Sequence, residues 1–229
     1  MTTAETWHGI FGAYNTTWLP VLILFWLALI ICTYLLIIKP SDKTNALMKA
    51  CLAIIFIWNG AVFFFLYMKN SAVPGGIPML IAGVLFAVDV FRNRITISFP
   101  EAGWKRYVTL SLIIWALGLY TLAAWLTGHP YPETVLPVAP CPATIFALAL
   151  LSGTLLAQKP KVDRLTLTLL FLPLLWWAFC AGLGAPLGFG FYVDLTLLGV
   201  GIYGLIVLLK NWKLIGKEKA QNKLDQMKD

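Results

Sequence analysis

This chain has few charged residues. Asp, Glu, Lys and Arg make up 12% of its 229 residues, whereas 60% of the residues are hydrophobic. A soluble globular domain carries roughly 25% charged residues, because it must cover itself with a wettable surface. The composition therefore excludes an ordinary water-soluble fold and indicates a protein that has lipid as its solvent.

The sequence also lacks the motifs of known catalytic and cofactor sites. Its only histidines are His8 and His129, its four cysteines include no CxxC pair, and it has no Gly-rich phosphate loop. Neither a zinc-protease helix nor a catalytic triad can be assembled from these residues. We expect a protein that is not an enzyme and holds no cofactor. An enzyme acting on lipid or quinone would need a nucleophile and base that we cannot name.

Long apolar runs, in contrast, are abundant. A helix that crosses a bilayer core of roughly 30 Å needs about 20 mainly apolar residues, and it satisfies its own backbone hydrogen bonds. We predict an all-α integral membrane protein, a bundle of seven transmembrane helices within residues 1–210. The competing count is six spans with a re-entrant element, because only the segment 184–190 separates the last two runs. The seven apolar runs cover residues 18–38, 46–67, 77–91, 107–126, 141–157, 165–183 and 191–209.

The positive charges alternate along the chain. All of the 17 Lys and Arg residues except Lys69 fall in or close to every second connection, or after the last run. This is the positive-inside pattern. It predicts an odd number of spans, an outside N-terminus, and residues 211–229 as a basic cytoplasmic tail. We expect a multi-pass protein of the plasma membrane with lipids as partners and no nucleic-acid binding, since the net charge of +7 is spread over membrane edges.

The residues before the first run predict a separate element. Trp7, Ile10, Phe11 and Tyr14 recur at helical spacing within residues 6–15. This pattern predicts a short amphipathic helix on the outer membrane surface. A loosely packed leader is the alternative.

Two aspartates lie within or beside the predicted spans. Asp89 precedes Arg92 and Arg94 closely, which indicates an ion pair at the membrane edge. Asp194 falls in the first turn of the seventh predicted helix, where a carboxylate meets the positive end of the helix dipole. Because ionisable residues inside a membrane are often functional, Asp194 is also our candidate ligand for a cation or proton in a cavity open to the outside.

The cysteines allow several interpretations. Cys141 lies at the predicted start of the fifth helix, where backbone N–H groups favour a thiolate. Cys141 and Cys180 both lie toward the outer side, whereas Cys32 and Cys51 lie toward the inner side. Two pairs suit a relay for a thiophilic ion, with Cys141 and Cys180 as candidate metal ligands. An outer disulfide with two buried thiols, or four unrelated small residues, are the alternatives.

Other residues suggest where a pocket would lie and how the helices pack. We expect any pocket in the outer half of the bundle, with Trp58, Asn59, Trp176, Trp177, Cys141 and Asp194 as its candidate residues. Small residues permit close approach between helices, and Asn59 requires an interhelical hydrogen bond. The small residues of the seventh helix are Gly199, Gly201 and Gly204.

A 3+1+3 internal repeat is a further hypothesis. Pro20 and Pro142 lie near the start of the first and fifth predicted helices, and Trp58 and Trp176 lie in the second and sixth. Many transporters are built from two similar halves with the substrate at their interface. Coincidence is the alternative, since Trp and Pro are common in membrane proteins.

The pattern resembles a bacterial family of polytopic inner-membrane proteins classed as a domain of unknown function. The resemblance implies a helical membrane fold and a bacterial inner-membrane location, but no reaction. It rests on Tyr14-Asn15 with Trp18 and Pro20, on Trp58 and Gly60, on residues 140–146, on Pro173 with Trp176, and on Asp194-Leu195.

Two classes of function remain open at this point. Short connections leave the membrane interior as the only sizeable place for a site, which favours a transporter of a small solute or ion. The alternative is a non-catalytic accessory or assembly subunit of a membrane complex, with another membrane protein or a second copy of this chain as its partner.

Overall fold

The computed structural model describes residues 4–158 and 160–225, with the side chains of residues 7–158 and 160–212. The described part of the chain is all-helical, and one isolated β-bridge links two connections. Its seven helices are α1 (Ala4–Ile38), α2 (Asp42–Tyr67), α3 (Lys69–Arg92), α4 (Trp104–Leu126), α5 (Pro140–Leu156), α6 (Arg164–Phe189) and α7 (Leu195–Asp225), the last preceded by a 3₁₀ turn at Tyr192–Asp194.

Each predicted apolar run corresponds to one helix. Six of the helices in the described residues are long and apolar enough to cross a membrane, and α5 is a shorter apolar helix of 17 residues. The chain is therefore a helical membrane protein. The predicted turn at residues 184–190 is too long: α6 continues to Phe189, and the break is at Gly190, which adopts φ 70°. Glycine reaches this left-handed conformation without a steric penalty.

Helix α5 is the core of the bundle. Its residues 140–155 are all buried, and α4, α6 and α7 pack around it. Small side chains permit this enclosure. A Cβ atom added at Gly153 would lie 2.7 Å from the side chain of Thr109 on α4. Helices that meet this closely gain van der Waals packing, which holds membrane bundles together where lipid supplies no hydrophobic driving force.

The N-terminal segment is not the separate surface helix that we predicted. Helix α1 is continuous from Ala4 to Ile38, and Trp7, Phe11 and Tyr14 are buried against the bundle. Their helical spacing is therefore the buried stripe of a long helix. The helix is present as its spacing predicts, but the partner of that stripe is protein rather than the membrane surface.

The two ends of the bundle differ in their polar groups. We name them the Asp194 end and the Lys49 end. At the Lys49 end, the buried Lys49 ammonium lies 2.8 Å from the Asp89 carboxylate. Asn93 closes α3 in the left-handed conformation, and its side-chain oxygen accepts from Lys49 Nζ at 3.2 Å. The expected partners of Asp89 were wrong, because Arg94 contributes only its backbone N–H, at 2.8 Å from Asp89 Oδ1.

The domain boundary at residue 210 and the 3+1+3 internal repeat remain predictions. The backbone of α7 continues as helix through residues 211–225, so the predicted tail extends α7 over this range. The two predicted repeat units have different surroundings: Pro20 on α1 is exposed, whereas Pro142 on α5 is buried. Only α5 is enclosed by the rest of the bundle, which gives the opening helices of the two units unequal roles.

Candidate functional site

A fully buried carboxylate, that of Asp194, is the centre of the candidate site. Asp194 ends the 3₁₀ turn that leads into α7. The Tyr120 hydroxyl on α4 donates a hydrogen bond to Asp194 Oδ1. The Cys141 thiol on α5 donates to Asp194 Oδ2, with 3.4 Å between sulfur and oxygen. Three elements that are distant in sequence therefore meet at one carboxylate.

Neighbouring hydrogen bonds hold these elements in place. Trp115 Nε1 on α4 donates to the Thr196 hydroxyl on α7 at 3.1 Å. The Thr121 hydroxyl on α4 donates to the Val135 carbonyl at 2.8 Å, which fixes the segment before α5. A π-helical turn at Trp115–Leu119 shifts the register of α4 immediately before Tyr120. Such turns are frequent at functional sites.

A cavity of about 300 Å³ adjoins the carboxylate. Its lining comes mainly from α6, with smaller contributions from α1, α3 and α5, and it reaches the exposed residues Pro74, Cys180 and Gly184. Among the described residues that line the cavity, only Asp194 has an ionisable carboxylate side chain. The other lining residues are Trp7, Phe11, Phe63, Met68, Ser71, Pro140, Cys141, Trp177, Ala181, Ala185 and Phe189.

The structure brings only some of the predicted pocket residues together. Asp194, Cys141 and Trp177 line the cavity, whereas Trp58, Asn59 and Trp176 do not. The indole of Trp58 donates to the Tyr14 hydroxyl at 2.9 Å, and Asn59 donates to the Val138 carbonyl at 2.9 Å. Trp176 is 53% exposed and donates to the Pro74 carbonyl at 2.9 Å. These three side chains hold helices and connections in place, which explains their polarity without a pocket.

The structure supports fewer chemical roles for the cysteines than their positions in the sequence suggested. All four are free thiols, so no disulfide joins Cys141 to Cys180, although both line the cavity. Within the residues that the structure describes, no three His, Cys, Asp or Glu side chains are grouped to hold a metal ion. Cys141 is the second residue of α5 rather than its cap. Its bond to Asp194 uses the thiol proton, in contrast to the thiolate that we expected.

Sequence reasoning missed two parts of the site. Tyr120 is one of eight tyrosines, and nothing in the sequence connects it to an aspartate 74 positions later. The aromatic wall of the cavity was missed because Trp7 and Phe11 had been assigned to a surface helix. A phenol in the middle of an apolar run requires a hydrogen-bond partner, and this was the available signal for Tyr120.

Two histidines stack beside the site at the Asp194 end. The rings of His8 and His129 lie 3.8 Å apart between centroids, at an angle of 15°. His129 belongs to the connection between α4 and α5. Burial lowers the pKa of His129 below its usual value, and the nearby Glu133 carboxylate partly opposes this. The neutral form of His129 is therefore favoured in the folded protein.

Comparison with known families gives one match. The model described as "Family of unknown function (DUF6064)" matches residues 4–219. The chain belongs to this family. The DUF6064 match covers helices α1 to α6, α7 as far as residue 219 and every residue of the candidate site, and it confirms the resemblance to a domain of unknown function. No curated protein and no solved structure matches the chain.

Proposed function

We propose that this DUF6064 protein is a transporter of a small solute or ion, with its binding site at Asp194. The observation that carries the proposal is a fully buried carboxylate at the wall of a cavity that reaches exposed residues. Ionisable residues at membrane depth are costly to bury and often mark the path of a substrate or ion. The proposal involves no chemical change of the solute.

The two buried aspartates of the bundle differ in a way that supports this function. Asp89 has a cation beside it, the ammonium of Lys49. Within the described side chains, Asp194 forms no ion pair and has only the Tyr120 and Cys141 donors. An ionised carboxylate in an apolar environment is unfavourable unless it is paired. A bound cation or proton would supply the missing charge, so Asp194 is suited to bind one reversibly.

The proposal includes the orientation of the bundle in the membrane. Among the described residues, the basic residues of the connections that we predict to be cytoplasmic lie at the Lys49 end, opposite the cavity. Under the positive-inside rule, the cavity then opens to the outside of a bacterial inner membrane. A reporter that is active only in the cytoplasm, fused after Asp229, is expected to be active. An inactive reporter together with an active periplasmic one would contradict this orientation.

Flux measurements test the transport proposal. Protein in proteoliposomes is exposed to concentration jumps of Na⁺, K⁺, ammonium and organic cations while the current across the membrane is recorded. We expect a solute-dependent current with wild-type protein and its loss in Asp194→Asn. Glu133→Gln is the matched control, because it removes one exposed carboxylate at the same end of the bundle.

The same experiment separates the alternative function. Currents that are equal in wild-type, Asp194→Asn and empty liposomes would remove the transporter for the solutes tested. A stable membrane-protein complex purified with the chain, together with such equal currents, would support the accessory or assembly subunit. That alternative predicts loss of the complex when exposed residues of the bundle are substituted, and no effect of Asp194→Asn.

A further inference from the structure

The aromatic side chains of the cavity wall form a continuous arc. Five ring pairs connect Phe189 to Trp177, with centroid distances between 4.7 and 5.4 Å. The arc runs through Phe189, Trp7, Phe11, Phe63, Phe64 and Trp177, and all of these except Phe64 line the cavity. The wall is therefore built from π systems supplied by three helices, α1, α2 and α6.

This wall is poorly suited to an inorganic cation. Ions such as Na⁺ and Ca²⁺ exchange their hydration shell for several oxygen ligands. Among the described residues, the only lining side chains with oxygen atoms are Asp194 and Ser71, and Ser71 is partly exposed. A thiophilic metal ion is disfavoured too, since the described residues contain no group of three metal-binding side chains.

An organic cation matches both features of the cavity. The faces of aromatic rings attract a positive charge within about 6 Å, most strongly for Trp, and quaternary ammonium groups are recognised in this way. The carboxylate of Asp194 supplies the opposite charge, and the apolar wall accommodates the carbon substituents of an amine.

We propose that the cavity binds a small organic ammonium cation, with its charged group near Asp194 and its apolar substituents against the aromatic arc. This rests on the proposed function and names the class of substrate for the same site. A volume of about 300 Å³ lies at the small end of ligand pockets, which limits the ligand to a compact amine.

Direct binding tests the proposal independently of transport. The probe is radiolabelled phenyltrimethylammonium, and its binding to the purified full-length protein in detergent is measured by equilibrium dialysis. We expect saturable binding to wild-type protein and at least tenfold weaker binding to Asp194→Asn. Excess Na⁺, at constant ionic strength, is expected to leave the dissociation constant within twofold of its value.

A matched pair of substitutions tests the aromatic arc. Phe63→Leu removes a ring that lines the cavity, and Phe64→Leu removes the neighbouring, equally buried ring that does not. We expect Phe63→Leu to weaken probe binding by about twofold to thirtyfold, the range of cation–π contributions. Phe64→Leu should change binding less than twofold. Phe11→Leu, on another helix, provides a second lining variant if Phe63→Leu unfolds.

The possible outcomes separate a failure of the proposed ligand class from a failure of the proposed transport function. Absence of saturable binding to wild-type protein, or equal binding to wild-type and Asp194→Asn, would overturn the organic-cation site. Currents with Na⁺ that depend on Asp194, without probe binding, would keep the transporter and reject this substrate class. Probe binding that depends on Asp194 and Phe63 would support the site even if proteoliposomes carry no current.

Discussion

The Tyr120 hydroxyl donates a hydrogen bond to the Asp194 carboxylate across two helices, at a sequence separation of 74 residues. Both side chains are fully buried. The second carboxylate oxygen of Asp194 accepts from the Cys141 thiol, so each oxygen has one donor. This geometry orients the carboxylate before any ligand arrives, since neither helix needs to move to satisfy it.

Removal of the Tyr120 hydroxyl is expected to destabilise the protein. Tyr120→Phe leaves Asp194 Oδ1 without its donor, and a buried polar atom that loses its partner costs about 1–3 kcal/mol. Tyr203→Phe is the matched control, because the buried Tyr203 hydroxyl has no partner in the described structure. Thermal unfolding in detergent measures both variants. Equal losses of stability would show that the Tyr120 bond contributes nothing specific.

The buried ion pair at the Lys49 end gives a second prediction. Lys49→Met leaves the Asp89 carboxylate buried without a cation, which is expected to cost about 3–5 kcal/mol. Lys43→Met removes an exposed lysine from the same helix and should cost less than about 0.5 kcal/mol. Adding Asp89→Asn to Lys49→Met is expected to recover part of the loss. A double variant that is less stable than Lys49→Met would argue against an uncompensated charge as the cause.

The pKa of His129 predicts a pH dependence of opposite sign to that of a histidine stabilised by an ion pair with a carboxylate. Burial favours the neutral ring, so the folded-state pKa is below the unfolded value of about 6.5. The contribution of His129 to stability is therefore full above pH 6.5 and is lost as the pH falls through the unfolded and then the folded pKa.

NMR titration of ring-labelled histidine checks this directly. We expect an apparent pKa of His129 below that of free histidine, and a further decrease in Glu133→Gln, because Glu133 raises it. Stability should fall as the pH drops from 7.5 to 5.5, and less steeply in His129→Gln. A pKa above 6.5 would contradict the burial argument.

The glycines of α7 predict opposite effects of the same substitution. A Cβ atom at Gly201 would lie 2.8 Å from the Ala178 Cβ on α6, whereas one at Gly199 would meet no atom within 4 Å. Gly201→Ala is expected to destabilise the bundle by about 1–3 kcal/mol through overpacking. Gly199→Ala should be neutral or stabilising by up to about 1 kcal/mol, because alanine favours helix. Thermal unfolding of both variants tests the α6–α7 contact, and equal stabilities would contradict it.

The order of the helices was predictable because each is an apolar segment that must satisfy its backbone hydrogen bonds internally. Whether a helix faces lipid or the protein interior was not predictable, since both environments are apolar and require similar side chains. Helix α5 illustrates this: its sequence is that of an ordinary short span, yet residues 140–155 are enclosed on every side. The N-terminal stripe of Trp7, Phe11 and Tyr14 was misassigned for the same reason.

By itself, the sequence determined seven apolar helices, the Pro and Gly breaks between them, and an aspartate at the start of α7. Only the tertiary structure decided that Tyr120 and Cys141 bind Asp194, that Lys49 pairs with Asp89, and that Trp58, Asn59 and Trp176 bind elsewhere. The physical reason is the distance along the chain over which each interaction acts. Backbone hydrogen bonding and hydropathy act within one segment, whereas partners for buried polar groups are chosen by how distant helices pack.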